Sequence, residues 1–178
     1  MKNLKTILSV FAIAAVFSST AFAQTDVNVA AKVEANISVT KNDNVDFAGI
    51  QATSNPVLDP NGTNTDVGAG AKVGKLTISA SNSTQLVINW DQTSVTLGDG
   101  TNTMTFTPDI TAYQTDTPAS SVALTKATAN AASATSGSGA LFVYIGGNLG
   151  ALSGQTAGTY SSSAANGSGD LTFTVNYQ

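Results

Sequence analysis

Apolar and polar residues alternate along the chain from Val27 to Val39. Every odd-numbered position in this stretch is Val, Ala or Ile, whereas Asn, Lys, Glu and Ser hold most of the even-numbered positions. A period of two predicts an extended strand with one buried face and one solvated face. The strand would be about twice as long as an average strand of about 5–6 residues. Such a strand is either the first strand of its own domain or a strand that enters a neighbouring subunit.

Shorter segments with the same alternation follow, and turn residues separate them. They are Lys75–Ala80, Leu86–Trp90, Val95–Leu97, Met104–Phe106 and Leu171–Tyr177. The loop Gly98–Gly100 predicts a hairpin, because glycine tolerates the positive φ of tight turns. Leu141–Ile145 is apolar on both faces, which predicts a central strand covered on both sides. Many short alternating strands with glycine-rich turns predict an all-β, antiparallel sandwich.

Three segments lack this alternation. Asp59–Gly62 has the Asp-Pro-Asn-Gly sequence of a turn. Lys126–Gly139 contains almost no large side chain, and we expect a long surface loop there because Ser and Thr compete with the helical backbone. Ser161–Gly169 is equally poor in apolar residues and predicts a mobile segment before the last strand.

Residues 1–23 have the features of a secretory signal peptide. Lys2 and Lys5 provide positive charge, Ile7–Phe17 forms a short apolar segment, and Ala21-Phe22-Ala23 gives the small-residue cleavage pattern. The apolar segment is shorter than the about 20 residues that span a bilayer. We therefore predict cleavage before Gln24 and export to the periplasm, cell surface or medium. The mature chain, residues 24–178, would be one β-sandwich domain without membrane insertion.

The charge and composition of the mature chain exclude several classes of function. Five lysines against eleven Asp and Glu residues, with no Arg, give a net charge of −6. Without arginine or a basic patch, nucleic-acid binding is not expected. The absence of His and Cys excludes a Ser-His-Asp triad, thiol nucleophiles and thiolate metal sites. Scattered aspartates leave glycoside hydrolysis open without favouring it, so we expect no enzyme activity and no catalytic residues.

One group of oxygen-bearing side chains lies around the Asp-Pro-Asn-Gly turn: Asp59, Asn61, Asn64 and Asp66. Oxygen ligands suit calcium, but the spacing differs from that of an EF-hand and lacks its terminal Glu. The group is a candidate calcium site, while a turn explains the same sequence without a metal. No other cofactor is expected.

Several segments have sequences that occur together in a known family. They are Ile37–Thr40 with Val45–Ile50, Asp59–Thr63 with Gly74–Ser79, Tyr144–Leu149 with Gln155–Tyr160, and the closing Leu171–Gln178. They resemble the exported bacterial proteins termed domain of unknown function 4402, which are similar to spore-coat-U-type and archaic chaperone–usher pilin subunits. The chain differs in its additional residues Ser161–Gly169 and in lacking the cysteine pair common in archaic pilins.

The resemblance implies an incomplete immunoglobulin-like sandwich that polymerises by lending an N-terminal strand to a neighbour. Residues 24–36 would be the donor strand, and the last strand of the neighbour would accept it. The side chains that contact the neighbouring subunit would be Val27, Val29, Ala31, Val33 and Ala35. The implied partners are pilin-like subunits in a homo- or hetero-oligomer, with a periplasmic chaperone and an outer-membrane usher.

Two interpretations remain open at this point. In the first, the protein is a non-enzymatic structural subunit of a pilus-like or coat-like fibre, with a donated part up to Ala35 and its own domain beginning at Ile37. In the second, the protein is a self-contained secreted sandwich whose first strand pairs within its own domain. Its loops, Asp59–Asp66 and Lys126–Gly139, would then bind a glycan or a protein.

Overall fold

The computed structural model of the chain describes Asn28, residues 30–124 and residues 132–178. Within those ranges the chain divides at Val33, and the unit Glu34–Gln178 contains every strand. A single short 3-10 helix, Pro118–Ser120, interrupts the strands there. The strands are β1 (Ser38–Asp43), β2 (Val57–Leu58), β3 (Gly74–Ser79), β4 (Gln85–Trp90), β5 (Val95–Gly98), β6 (Thr103–Tyr113), β7 (Val122–Ala123), β8 (Ala132–Ala134), β9 (Ala140–Asn148) and β10 (Phe173–Tyr177).

The strands form two antiparallel sheets. The larger has the order β1-β3-β9-β6-β5, with β2 beside β9 and β7 beside β6. The smaller has the order β10-β4-β8. All pairs are antiparallel, which confirms the all-β, antiparallel sandwich predicted from the alternating segments. No helix in the part of the chain that the structure describes is long and apolar enough to cross a membrane.

One apolar core lies between the two sheets. Ile78 of β3, Ile88 of β4 and Val143 of β9 are fully buried in it. Complete burial of such an aliphatic side chain stabilises the fold by about 1.5–3 kcal/mol. The remaining buried members are Leu76, Leu86, Trp90, Ile110, Ala112, Leu141 and Ile145. Because β3, β6 and β9 face β4 across this core, the sandwich is held together without disulfides.

A second apolar cluster fixes the hairpin β5–β6 to nearby loops. The rings of Phe47 and Phe106 meet edge to face, with their centroids 5.8 Å apart. The other buried members are Leu58, Val95, Met104, Leu149 and Leu152. This cluster holds the loops after β1 and β9 against one end of the sandwich.

Several predictions made from the alternation are confirmed. Leu141–Ile145 lies in β9, which pairs with both β3 and β6 and is therefore central. The hairpin around Gly98–Gly100 joins β5 to β6, with Val95 opposite Phe106.

The prediction of one strand from Val27 to Val39 is wrong over most of its described length. Residues 30–37 have no strand, and β1 begins at Ser38. Alternation marks the side chains that a sheet could bury, but a strand also needs a partner for its backbone. From Ser38 onward that partner is β3.

Two predicted loops also contain more structure than expected. Ala132–Ala134, within the predicted surface loop, forms β8 on the edge of β4, whereas residues 125–131 lie outside the described residues. Ser161 forms a bridge with Gly98, and the Ser168 amide donates to the Thr96 carbonyl at 3.0 Å. The segment predicted to be mobile therefore covers the outer edge of β5.

Candidate strand-binding groove

Two edge strands, one from each sheet, lie on the same side of the core. Among the described residues, β1 pairs only with β3 in the larger sheet, and β10 pairs only with β4 in the smaller one. Ile37, just before β1, and Val175 of β10 both pack against the same core cluster. We call the space between these two edges the groove, defined by Val39, Leu76, Phe173, Val175 and Tyr177.

The inward side chains of β10 are only half-buried. Phe173, Val175 and Tyr177 lie opposite Trp90, Ile88 and Leu86 of β4. Residues opposite each other in an antiparallel pair point to the same face, so all three β10 side chains point toward the core. Their β4 partners are buried, whereas the three themselves are partly exposed.

The inward side of β1 is also uncovered. Val39 lies opposite Ile78, and Lys41 lies opposite Leu76, which places both side chains on the core-facing side. Val39 is nevertheless 46% exposed, and Lys41 is exposed as well. Both facing edges of the sandwich therefore have inward side chains that remain partly or largely exposed.

The backbone of β10 has unused hydrogen-bonding groups along this groove. The Gln178 amide donates to the Gln85 carbonyl at 3.2 Å, and the Thr172 carbonyl accepts from the Asp91 amide at 3.1 Å. Hydrogen-bonded pairs alternate along an antiparallel ladder. The even-numbered residues of β10 therefore bond to β4, and the amides and carbonyls of Phe173, Val175 and Tyr177 point to the open edge.

A cavity of about 980 Å³ continues the groove at the Phe173 end. Its apolar lining includes Val45, Phe47, Leu76, Leu97, Leu171 and Phe173. Lys41, Asp43 and Asp170 also border it. Apolar walls, open backbone groups and a few charges suit an extended segment with alternating side chains.

The opposite end of the groove is closed by Tyr177. Its hydroxyl donates to the Ala35 carbonyl at 2.6 Å and accepts from the Ser81 amide at 2.8 Å. The Ala35 amide in turn donates to Ser81 Oγ at 2.7 Å. Because Ala35 leads into β1, this bridge links the two edges of the groove. It also fixes the backbone of Ala35, where the N-terminal segment joins the domain.

The structure places the predicted donor side chains in different situations. Val27 and Val29 lie outside the described residues. Ala31 is exposed, Val33 is 94% exposed, and Ala35 is exposed but held through its backbone by Tyr177 and Ser81. The role of these residues in subunit contacts stays a prediction.

The candidate calcium residues are held in hydrogen bonds of a turn. The Asp59 amide donates to Asn64 Oδ1 at 2.9 Å, and the Asn61 amide donates to Asp59 Oδ1 at 3.0 Å. Asn61 Nδ2 donates to the Ser121 carbonyl, while Asp66 accepts from the Asn55 amide. The described residues contain no cluster of three or more His, Cys, Asp or Glu side chains suited to a metal. Calcium binding here stays a prediction.

Sequence reasoning located one side of the groove and missed the other. The resemblance implied that the last strand accepts a donated strand, and β10 is an edge strand among the described residues. The uncovered inward face of β1 and the cavity were not predicted, because they depend on the pairing of β1 with β3. A charged residue on the core-facing side of a strand, such as Lys41, indicates an uncovered edge. That position can be recognised only once the register of β1 against β3 is known.

No protein-family model matches the chain, and no curated protein matches it either.

Proposed function

We propose that the protein is a non-enzymatic, exported structural subunit of a pilus-like or coat-like surface fibre. In this proposal, residues 24–36 of one copy enter the groove of the next. The observation that supports it most is the pair of facing edges, β1 and β10, whose inward side chains are exposed on β1 and half-buried on β10. A strand added to β10 would satisfy its open backbone groups and cover the apolar side chains at once.

The N-terminal segment has the features that such a strand needs. Its odd positions from Val27 to Ala35 are apolar, and Val33 is 94% exposed. Since β1 begins only at Ser38, residues before Ala35 are not needed for pairing with β3. The segment can therefore serve a neighbour while residues from Ile37 onward complete their own domain.

Donation would bury apolar side chains and would also order the donor segment. Burying Val27, Val29 and Val33 contributes roughly 5–9 kcal/mol at about 1.5–3 kcal/mol for each side chain. Ordering about nine residues costs about 1–2 kcal/mol each. Hydrogen bonds to the open edge of β10 must therefore supply part of the stabilisation.

The test compares the mature chain with a variant of equal length, Val27→Ser, Val29→Ser, Val33→Ser. We expect sedimentation velocity to show concentration-dependent assembly of the mature chain and a monomer for the variant, with equal thermal unfolding of the monomeric domain. The control Asn28→Ser, Asn36→Ser changes the opposite face and should assemble normally. Unchanged sedimentation of the triple variant would refute strand donation.

The same samples test whether the segment fills the groove of its own chain. Self-insertion predicts a monomer at every concentration, with the amides of residues 27–33 protected from hydrogen exchange even at high dilution. Donation predicts that this protection appears only with assembly.

A smaller cavity supports the second candidate function, a self-contained sandwich that binds a glycan through its loops. It has a volume of about 510 Å³, and Asp59, Asn61, Asn64 and Lys72 are among its lining residues. Side chains with amide, carboxylate and ammonium groups can bind the hydroxyls of a glycan. If the protein is a loop-based glycan receptor, Asn61→Ala and Lys72→Ala will abolish glycan binding while leaving its sedimentation unchanged.

A further inference from the structure

The bridge between Tyr177 and Ala35 limits where an added strand can lie. The phenol ring of Tyr177 points inward from β10, and its hydroxyl reaches the residue that leads into β1. A strand that paired with the backbone of Tyr177 would have to pass between the Tyr177 hydroxyl and the Ala35 carbonyl, which are hydrogen-bonded to each other. At Phe173, by contrast, the groove opens into the large cavity.

We infer that Tyr177 is a positioning residue that stops the incoming strand. The strand pairs with Phe173 and Val175 and leaves the groove before Tyr177. This inference rests on the proposed function and adds the register of the donated strand to it. A defined stop matters because a slip of one residue would turn every apolar side chain of the donor away from the core.

The hydroxyl bridge, rather than the ring, makes the stop. The Tyr177 hydroxyl is bonded on both sides, to Ala35 and to the Ser81 amide. Tyr177→Phe retains the ring, which packs against the core cluster, and removes only these bonds. The groove would then be open along the whole of β10, and an incoming strand could pair with position 177 as well.

Residue-resolved hydrogen exchange distinguishes the two situations, because the amides of Phe173, Val175 and Tyr177 all point to the open edge. The acceptor is the ¹⁵N-labelled mature chain carrying Val27→Ser, Val29→Ser and Val33→Ser, which retains the groove and cannot donate. The probe is an excess of the unlabelled synthetic peptide with the native sequence of residues 24–36.

With the peptide bound, we expect exchange at Phe173 and Val175 to slow by about tenfold or more, as for other paired amides, and exchange at Tyr177 to change little. In the same acceptor carrying Tyr177→Phe, the amide at position 177 should slow as well. The control Tyr113→Phe removes a tyrosine hydroxyl from an exposed position on β6 and should leave the wild-type pattern.

The outcomes separate this inference from the proposed function. Slowed exchange at all three amides of the wild-type groove would overturn the stop and leave strand donation intact. An unprotected amide at position 177 in the Tyr177→Phe acceptor would also overturn it, because the bridge would not be the cause. If no amide of β10 slows, the groove does not accept the strand, and both proposals fail.

Discussion

The hydroxyl of Tyr144 donates a hydrogen bond of 2.9 Å to the carboxylate of Asp116. Asp116 also pairs with Lys75 Nζ at 2.5 Å. The same Nζ lies 5.4 Å from the centroid of the Phe142 ring. Burial and the neighbouring carboxylate raise the pKa of Tyr144, so this hydroxyl stays a donor at any physiological pH. The contact ties the loop before β7 to the outer face of the central strand β9.

Loss of this hydroxyl should weaken the fold measurably. Tyr144 is only 1% exposed, and Tyr144→Phe removes the hydrogen bond while the ring remains. We expect the free energy of unfolding to fall by about 1 kcal/mol, the usual contribution of one such bond. Urea unfolding followed by tryptophan fluorescence measures it. The control Tyr113→Phe, on the neighbouring strand, should change the free energy by less than about 0.5 kcal/mol.

The turn of the β5–β6 hairpin should lose stability in acid. The Asn102 amide is the main cause that lowers the pKa of Asp99 to about 2, and it donates to Asp99 Oδ1 at 2.6 Å. A lowered pKa means that the folded state prefers the carboxylate, so its contribution is complete above the ordinary pKa near 4 and is lost as the pH falls toward about 2.

Thermal unfolding at two pH values checks this sign. At pH 7, Asp99→Asn should lower the melting temperature, because the amide accepts the backbone N–H groups less strongly than the carboxylate does. At about pH 2 the difference from the wild type should shrink, since Asp99 itself becomes protonated. A difference that is equal at both pH values would contradict the assignment. Asp43→Asn serves as a control for the removal of one exposed carboxylate.

Gly146 should tolerate no side chain. A Cβ at this position would lie 2.2 Å from the Leu58 carbonyl oxygen and 2.6 Å from Pro60 Cδ. Backbone cannot move aside as a flexible side chain can, so Gly146→Ala should destabilise the fold by about 1–3 kcal/mol or more. Gly137→Ala, where a Cβ meets nothing within 4 Å, is the matched control. Equal unfolding midpoints for the two variants in urea would refute the close approach of β2 to β9.

Gly146 also illustrates how much the sequence could predict. The predicted strand Leu141–Ile145 stops before Gly146-Gly147, but β9 continues through both glycines to Asn148. Tertiary contacts explain why both positions are glycine. Gly146 makes room for the Leu58 carbonyl, and Gly147 has a φ of 145° beside the Thr107 carbonyl. Neither neighbour is close in sequence, so local pattern could not reveal the contact.

The core strands β3 and β4 were predictable because large apolar residues recur at every second position, and β9 was predictable because Leu141–Ile145 is apolar throughout. β8 was not, since Ala132–Ala134 has no such contrast and owes its strand to pairing with β4. Residues 30–37 give the opposite case, in which the pattern is strong and the strand is absent. The groove depends both on which segments find a partner strand and on which do not. The sequence could therefore indicate its β10 side but could not locate the whole groove.

The open edge of β10 makes proline a selective test of strand acceptance. The Val175 amide points to the groove, whereas the Asn176 amide belongs to the ladder with β4, as the alternation of hydrogen bonds requires. Proline removes the amide hydrogen and is tolerated on edge strands where that hydrogen has no partner. Val175→Pro should therefore leave a folded domain that no longer assembles.

Asn176→Pro is the matched comparison, because it removes a hydrogen bond within the domain. We expect it to destabilise the monomer by about 1–3 kcal/mol, because its partner on β4 loses a ladder hydrogen bond, whereas Val175→Pro should cost clearly less. Urea unfolding and sedimentation velocity on both variants separate folding from assembly. If Val175→Pro assembled like the wild type, the edge of β10 would not be the acceptor. A loss of folding as severe as that of Asn176→Pro would instead show that the Val175 amide is already paired, which contradicts the open groove.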